Sequence, residues 1–372
     1  MVGDQIRTNK VLMTAFSHAP DDRRIIREAT ALTQINWSVS IIYPANNNRK
    51  IFTYKNINFI PVPLGRMKNS PLRFLLFWLS AVQLDPRLFQ VIHCHDLNCL
   101  PLGWFWSKKF NLPLIYDSHE WGVGVYDLHN SVIKRNIWNF LEIFLIKQAS
   151  VVITVNIYLA RMLRRYRKLS KLPEVVKNAS ELNTPTASSK KLQGNIGYLG
   201  GLMKGRNLSA ILSVLVSMPQ VKLHLIGDGK MKKEILSAAE KLNVANQVLI
   251  SGWVDDIRAA LLPVEIGLSL IPSNCTNNRL SSAGKVFDYA ALMIPQISSN
   301  HPALRDLVQE RGIGICIDEQ DPSMLVDAVS TLLKNQKQYK QIVLNITKNL
   351  NFYLWENEKK KLWKIYRNIN KG

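Results

Sequence analysis

Residues 196–206 read I-G-Y-L-G-G-L-M-K-G-R, and residues 282–289 read S-A-G-K-V-F-D-Y. The first stretch is a short apolar strand running into a glycine turn, with basic side chains just past it. An amphipathic helix carrying Leu208, Ile211, Leu212 and Leu215 follows. That order suits a diphosphate. Gly200 and Gly201 let backbone N–H groups approach anionic oxygens, the helix N-terminus adds partial positive charge, and Lys204 and Arg206 supply full charges. The second stretch opens another helix with Ser282, Gly284 and Lys285 and places Asp288 one turn in, where a ribose hydroxyl would need an acceptor. Two strand-loop-helix cradles in one Rossmann-like half point to a nucleoside diphosphate held from both sides.

Outward from these stretches, the chain alternates strand and helix. In the first half, strands are expected at 10–16, 38–43, 57–62, 90–94, 112–117, 150–155 and 173–177, and helices at 22–35, 71–84, 98–110, 131–148 and 157–168. In the second half, strands are expected at 194–199, 220–226, 246–250, 264–271, 294–298 and 313–317. This is βαβ winding carried out twice, an α/β chain of two Rossmann-like doubly wound domains. The first domain is placed at 1–180 and the second at 194–348. Residues 178–193, rich in Ser, Thr, Asn and Pro with almost no apolar periodicity, hold the expected linker, placed at 181–193.

The 372 residues are ample for two sheets, and 48 Lys and Arg against 27 Asp and Glu give a net charge of +21. Such an excess calls for an anionic partner. Cys94, Cys99, Cys275 and Cys316 have neither metal-ligand spacing nor the pattern of an extracellular disulfide framework, so a reducing cytoplasm is expected. The opening M-V-G-D-Q-I-R-T-N-K lacks an apolar core, and no stretch approaches the ~20 apolar residues that span a bilayer.

The glycine turn, the Gly227-Asp228-Gly229 turn after the next strand, and S-A-G-K-V-F-D-Y together resemble the family-4 retaining glycosyltransferases of GT-B fold. The first half resembles them independently. H-A-P-D-D-R-R-I-I-R-E-A-T-A-L (18–32) is similar to the family's opening motif, and V-I-H-C-H-D-L-N (91–98) and L-I-Y-D-S-H-E (114–120) are similar to its strand-end histidine motifs. W-E-N-E-K-K-K-L-W-K-I-Y (355–366) resembles the family's terminal helix, so residues 349–372 are expected to cross back onto the first domain. Two departures stand out. Counting eight residues back from Asp288, where relatives often carry an acid, gives Leu280, and Gly201 stands where relatives often have Arg.

The resemblance implies two domains facing across a cleft and a sugar moved from a nucleotide-sugar donor on the second domain to an acceptor on the first. Breaking a sugar–phosphate bond develops negative charge on the departing diphosphate, and Arg206 and Lys285 are the expected cations there. Gly200, Gly201, Lys204, Gly227, Gly229, Ser282, Gly284 and Asp288 are the expected donor contacts. A front-face process needs no protein nucleophile, and with protein cations at the phosphates no metal or other cofactor is expected. His119 would face the transferring sugar. Asp22, Arg24, His95, Asp96 and Glu120 would lie on the acceptor side, with Asp96 orienting His93 or His95 or receiving an acceptor hydroxyl. Each has a plainer reading. Asp22 fits an N-cap, Glu120 a loop surface, and a strand-end histidine an internal hydrogen bond.

The run R-M-L-R-R-Y-R-K-L-S-K (161–171) is either a solvated helix face or, with the basic and aromatic residues of 66–78, an adhesion surface for anionic lipid headgroups. No nucleic-acid-binding module is readable. The combined expectation is a retaining, metal-independent hexosyltransferase on the cytoplasmic face of the plasma membrane, acting on a lipid-linked saccharide in surface polysaccharide synthesis. Alternative readings are a non-hydrolysing nucleotide-sugar epimerase and an inactive glycosyltransferase-like scaffold, the latter suggested by Leu280 and Gly201.

Overall fold

Apolar runs of four to nine residues form strands because both of their faces are covered, and the amphipathic stretches between them supply the cover. The computed structural model describes residues 9–17, 19–45, 50–64, 71–124, 131–182, 192–203, 206 and 208–369. The chain divides into two compact units, Met1–Lys177 with Glu358–Gly372, and Asn178–Asn357. Most of the expected linker 181–193 lies outside the described residues, as do Lys204, Arg66 and Lys68.

The first unit winds β1 (Asn9–Thr14), α1 (Arg23–Thr33), β2 (Trp37–Ala45), β3 (Phe52–Tyr54), β4 (Ile57–Pro63), α2 (Pro71–Ala81), β5 (Val91–His95), α3 (Leu100–Phe110), β6 (Leu114–Ser118), α4 (Val132–Leu145), β7 (Val151–Thr154), α5 (Ile157–Arg167) and β8 (Glu174–Val175). Its sheet runs β3-β4-β2-β1-β5-β6-β7-β8, parallel except for the β3–β4 pair. Strand order reverses between β1 and β5, so the carboxyl ends of β1, β5 and β6 open onto the crevice where such sheets take ligands. Strand β3 was not among the sequence expectations. It is a hairpin edge, closed by Lys55 and Asn56, whose φ values of 51° and 61° are both left-handed.

The second unit winds β9 (Asn195–Leu199), α6 (Leu208–Ser217), β10 (Lys222–Ile226), α7 (Lys232–Lys241), β11 (Val248–Gly252), α8 (Ile257–Leu261), β12 (Ile266–Ser269), α9 (Thr276–Leu280), α10 (Gly284–Ala291), β13 (Gln296–Ser299), α11 (Pro302–Val308), β14 (Gly314–Ile317), α12 (Pro322–Lys334) and α13 (Gln336–Tyr353). All pairs in its β11-β10-β9-β12-β13-β14 sheet are parallel, and the order reverses between β9 and β12. Gly267 in β12 has a packing reason. A Cβ there would sit 2.5 Å from the Tyr289 ring, so the missing side chain lets α10 lie close on the sheet. Tyr289 accepts the Leu199 N–H at 2.8 Å and donates to the Gly197 carbonyl at 3.1 Å, which ties α10 to the end of β9.

Helix α14 (Trp355–Ile369) carries the chain back from the second unit to the first at Asn357–Glu358. In the first unit its Trp363 indole donates to the Ala31 carbonyl at 2.6 Å, and the rings of Tyr366 and Trp37 meet edge to face at 4.9 Å. Glu358 accepts the Lys177 backbone N–H at 3.0 Å and pairs with its ammonium at 3.0 Å.

Candidate active site

In the second unit, the two glycine turns are built against each other. Gly200 follows β9 with φ +132° and Gly227 follows β10 with φ +145°. A Cβ on Gly227 would stand 2.1 Å from the Gly200 carbonyl oxygen, and one on Gly229 would stand 2.3 Å from that of Leu202. Gly227 and Gly229 therefore serve the contact between neighbouring loops, which presses the Gly200–Gly201 backbone into place. The Gly200 N–H donates to Ile226 at 2.9 Å and the Leu202 N–H to Asp228 at 2.9 Å.

Lys285 completes this corner. Its ammonium lies 3.5 Å from the centroid of the Tyr198 ring, and 3.4 Å from where a Cβ on Gly200 would be. Burial, and then the like charge of Arg206, hold the Lys285 ammonium well below the usual lysine range. Arg206 itself is exposed. Helix α10 starts beside Lys285 with Ala283 as a cap that supplies no side-chain hydrogen bond, and a Cβ on Gly284 would meet nothing within 4 Å. The corner thus joins two cations, an uncapped helix N-terminus and open space, a combination that suits an anionic group.

Asp288 and Ser282 differ from the sequence expectation. Asp288 is 2% exposed and accepts the Ser180 hydroxyl at 2.7 Å, so this carboxylate acts within the unit, pinning the segment that follows β8 to α10. Ser282 is likewise buried.

In the first unit, a charged cluster is stacked beneath His119. Residues 93 and 95 share one face of β5, and the register sets Asp117 of β6 opposite His95. The His93 and His95 rings stack at 4.4 Å. Arg24 reaches onto this face from α1, bonding both Asp117 oxygens at 2.9–3.0 Å, Glu28 at 2.9 Å and the Val176 carbonyl at 2.9 Å. Tyr366 of α14 closes the bottom, its hydroxyl 2.8 Å from His93 Nδ1. Arg24 and His95 were expected on the acceptor side. Both are buried, and they act as internal partners because the sheet face they share is covered by α1 and α14.

His119 sits on top, 15% exposed, between two carboxylates: Nε2 is 3.0 Å from Asp117 Oδ2 and Nδ1 is 3.2 Å from Asp96 Oδ2. Asp96, with φ 62°, also accepts the His119 backbone N–H at 3.0 Å. Asp96 was expected to orient His93 or His95 or to receive an acceptor hydroxyl; in the structure its carboxylate lies against His119 instead. Burial alone would lower the His119 pKa, but Asp96 and Asp117 raise it well above the ordinary histidine value, which favours the protonated ring. Burial holds His95 and His93 below that value, favouring their neutral forms. Burial also works against ionisation of Asp117, yet Arg24 and His119 hold its carboxyl well below the usual range.

Burial pushes Glu28 up to about 8, against the pull of Arg24. Glu28, His93, His95 and Asp117 offer ligand atoms within 4.8 Å of one another, and the cation lodged among these carboxylates is the Arg24 guanidinium. Asp22 caps α1, accepting the Arg24 and Ile25 N–H groups at 3.1 and 3.3 Å, and Glu120 is exposed. Sequence reading passed over Asp117 and Glu28. The available signals were the D-x-H spacing at a strand end and an Arg–Glu pair four residues apart on α1.

Two open sheets, parallel apart from the β3–β4 pair and each with a polar cluster at the carboxyl ends of its strands, match the two Rossmann-like units of a GT-B glycosyltransferase fold. The family described as Glycosyltransferase Family 4 matches residues 22–182, and that described as Glycosyl transferases group 1 matches residues 189–349. The chain belongs to the family-4-type glycosyltransferases of GT-B fold. No curated protein matches the sequence. Solved structures agree with the fold. Sucrose-phosphate synthase from Thermosynechococcus elongatus superposes with a TM-score of 0.83 at 16% identity, over 97% of this chain and 99% of that one. HepE from Anabaena, in complex with UDP and glucose, gives 0.75 at 14% identity, over 97% and 100%. The lipopolysaccharide outer core galactosyltransferase WaaB in its apo form gives 0.63 at 15%, over 95% and 99%.

Proposed function

We propose that this glycosyltransferase moves a hexosyl group, with retention of anomeric configuration and without a metal, from a nucleotide-sugar held by the second unit to a lipid-linked saccharide bound by the first, in surface polysaccharide synthesis. The observation that carries the donor half is the corner where the Lys285 ammonium, Arg206 and the uncapped start of α10 meet the Gly200 turn. HepE was solved with UDP and with UDP-glucose, which makes uridine nucleotides the first donors to try here.

In the proposed step, the anomeric C–O bond to the diphosphate breaks and its electron pair leaves on the phosphate oxygen. Arg206 and Lys285 offset the charge that develops there. The same oxygen takes the proton of the incoming acceptor hydroxyl, whose oxygen bonds the anomeric carbon from the face the diphosphate left. The His119 imidazolium, held by Asp96 and Asp117, supplies fixed positive charge at the polar edge of the first unit. The reading is tested by incubating purified protein with UDP-, GDP- and ADP-sugars and following release of nucleoside diphosphate. The anomeric proton coupling of any transferred sugar reports retention. A panel without nucleotide release or transfer would favour the scaffold reading, and an epimerised donor without transfer would favour the epimerase.

A further inference from the structure

The first unit leaves large apolar side chains in solvent on one flank. On α4, Ile133, Ile137, Phe140 and Phe144 are all more than half exposed, reaching 76% at Ile133 and 72% at Phe140. Their spacing of four, three and four residues puts them on a single helical stripe, opposite the buried Glu142. On α2, Leu72, Leu75 and Leu79 make a second stripe with spacing of three and four, each about half exposed. The two helices touch through Trp138, whose ring meets Phe74 at 5.5 Å and Trp78 at 6.4 Å, and α3 joins them through the Trp104–Phe144 ring contact at 6.5 Å. Seven bulky apolar side chains on adjoining helices exceed the scattered exposure expected of a soluble surface.

The exposed charges on these helices are basic, with Asp85, between α2 and α3, the acid beside Lys109. Lys134 on α4, Lys147 just past it, and Lys108 and Lys109 at the end of α3 are exposed or rim the stripes. The acidic residue within α2, α3 and α4 is Glu142, which is buried and paired with Arg167. A second copy of this chain would bring lysines against lysines, so self-association is disfavoured, whereas an anionic bilayer complements both the apolar stripes and their basic rim.

We propose that the α2–α4 flank is the membrane-docking surface, its apolar stripes entering the headgroup boundary of an anionic bilayer while the lysines meet lipid phosphates. The proposal rests on the reading that the acceptor is lipid-linked. It moves the adhesion surface away from the 161–171 run. There, Arg167 is 2% exposed, bonded to Asn139 at 2.7 Å and to Glu142, and stacked 4.3 Å over the Trp121 ring, so it serves the core rather than a headgroup.

Flotation of the full chain with vesicles tests this, comparing phosphatidylglycerol–phosphatidylcholine mixtures with phosphatidylcholine alone. The wild type is expected to float with the anionic vesicles and to be released in part by salt. Ile137→Asp with Phe140→Asp should cut binding by about tenfold or more, since both apolar side chains are lost from the boundary and two charges repelled by anionic lipid replace them. Lys134→Glu with Lys147→Glu should cut the anionic preference. Both positions in the first pair are exposed, and an unchanged melting temperature confirms the fold. Binding unaltered by Ile137→Asp/Phe140→Asp but lost on Arg164→Glu/Arg165→Glu would overturn the assignment. So would a wild-type dimer that dissociates in the Asp variant, or an absence of vesicle binding. In each case nucleotide release from a donor sugar in vesicle-free solution reports separately whether the transferase reading stands.

Discussion

Nε2 of His119 stands 3.0 Å from Oδ2 of Asp117, a carboxylate with no exposed surface that Arg24 grips from its other side. The charge on His119 is thus set from beneath by Asp117 and from above by Asp96. Asp96 is 38% exposed, so Asp96→Asn can remove one carboxylate with little disturbance of the core. The His119 pKa should fall toward the ordinary ~6.5, read by NMR titration of the ring. Turnover should drop by about tenfold to a hundredfold, while affinity for nucleoside diphosphate, measured by calorimetry, stays near wild type. Because the folded pKa is raised, the ion-pair stability is fully present below the unfolded value and is lost as pH rises through the folded value. The stability cost of His119→Ala should accordingly be largest below pH ~6.5 and shrink in alkaline solution.

Lys285 predicts a proton-linked donor site. Burial and Arg206 hold its pKa well below the usual range, and a diphosphate beside it would oppose both effects. Binding should take up a proton over the window between the depressed free value and the higher bound value, and affinity should weaken as pH rises through that window. Calorimetry in buffers of different ionisation enthalpy measures the uptake. Arg206→Ala and Lys285→Ala should each weaken nucleotide binding by about tenfold or more, as expected for a charge-assisted contact. Arg206→Ala should also reduce the proton uptake, because the Lys285 pKa then rises before ligand arrives.

Two glycines separate architecture from contact. Gly227→Ala drives a Cβ to 2.1 Å from the Gly200 carbonyl at a φ of +145°, and should cost about 1–3 kcal/mol or more while displacing the turn. Gly284→Ala meets open space at the first position of α10 and should stabilise slightly, by less than the ~0.5–1 kcal/mol of a helix interior. If the diphosphate approaches the start of α10, the added methyl should nevertheless weaken nucleotide binding. Thermal unfolding and calorimetry on the same two proteins test both halves.

The glycine turns and S-A-G-K were legible because their signal is local: a strand, a turn and a helix start lie within about ten residues. The strand alternation was legible for the same reason, as fully buried parallel strands are near-continuous apolar runs. The partners of His119 were not. Arg24 meets Asp117 across 93 positions of sequence, and Tyr366 meets His93 across 273, contacts fixed by strand order and by the return of α14. The inward turn of Asp288 was hidden too, since its partner Ser180 lies 108 positions away. Periodicity on 131–148 showed that α4 would form, but a stripe that faces solvent reads in sequence like one that faces a core.

Glu28 supplies a stability test of the buried cluster. Burial raises its carboxyl to about 8 in the folded chain, so the folded state binds a proton that the unfolded chain releases near pH ~4.3. Its contribution is fully present below the unfolded value and is lost progressively as pH rises to about 8. Gln keeps the shape and polarity of the protonated form but cannot ionise. Glu28→Gln should therefore be close to neutral at pH 5, where the native carboxyl is protonated and the Gln amide oxygen can accept from Arg24 in its place. Relative to wild type it should gain stability steadily toward pH 8, by about 1.4 kcal/mol for each pH unit in which the native carboxyl stays protonated. Urea unfolding of both proteins at pH 5, 6.5 and 8 measures this slope. A difference independent of pH would mean that Glu28 is ionised throughout, with Arg24 rather than burial deciding its charge.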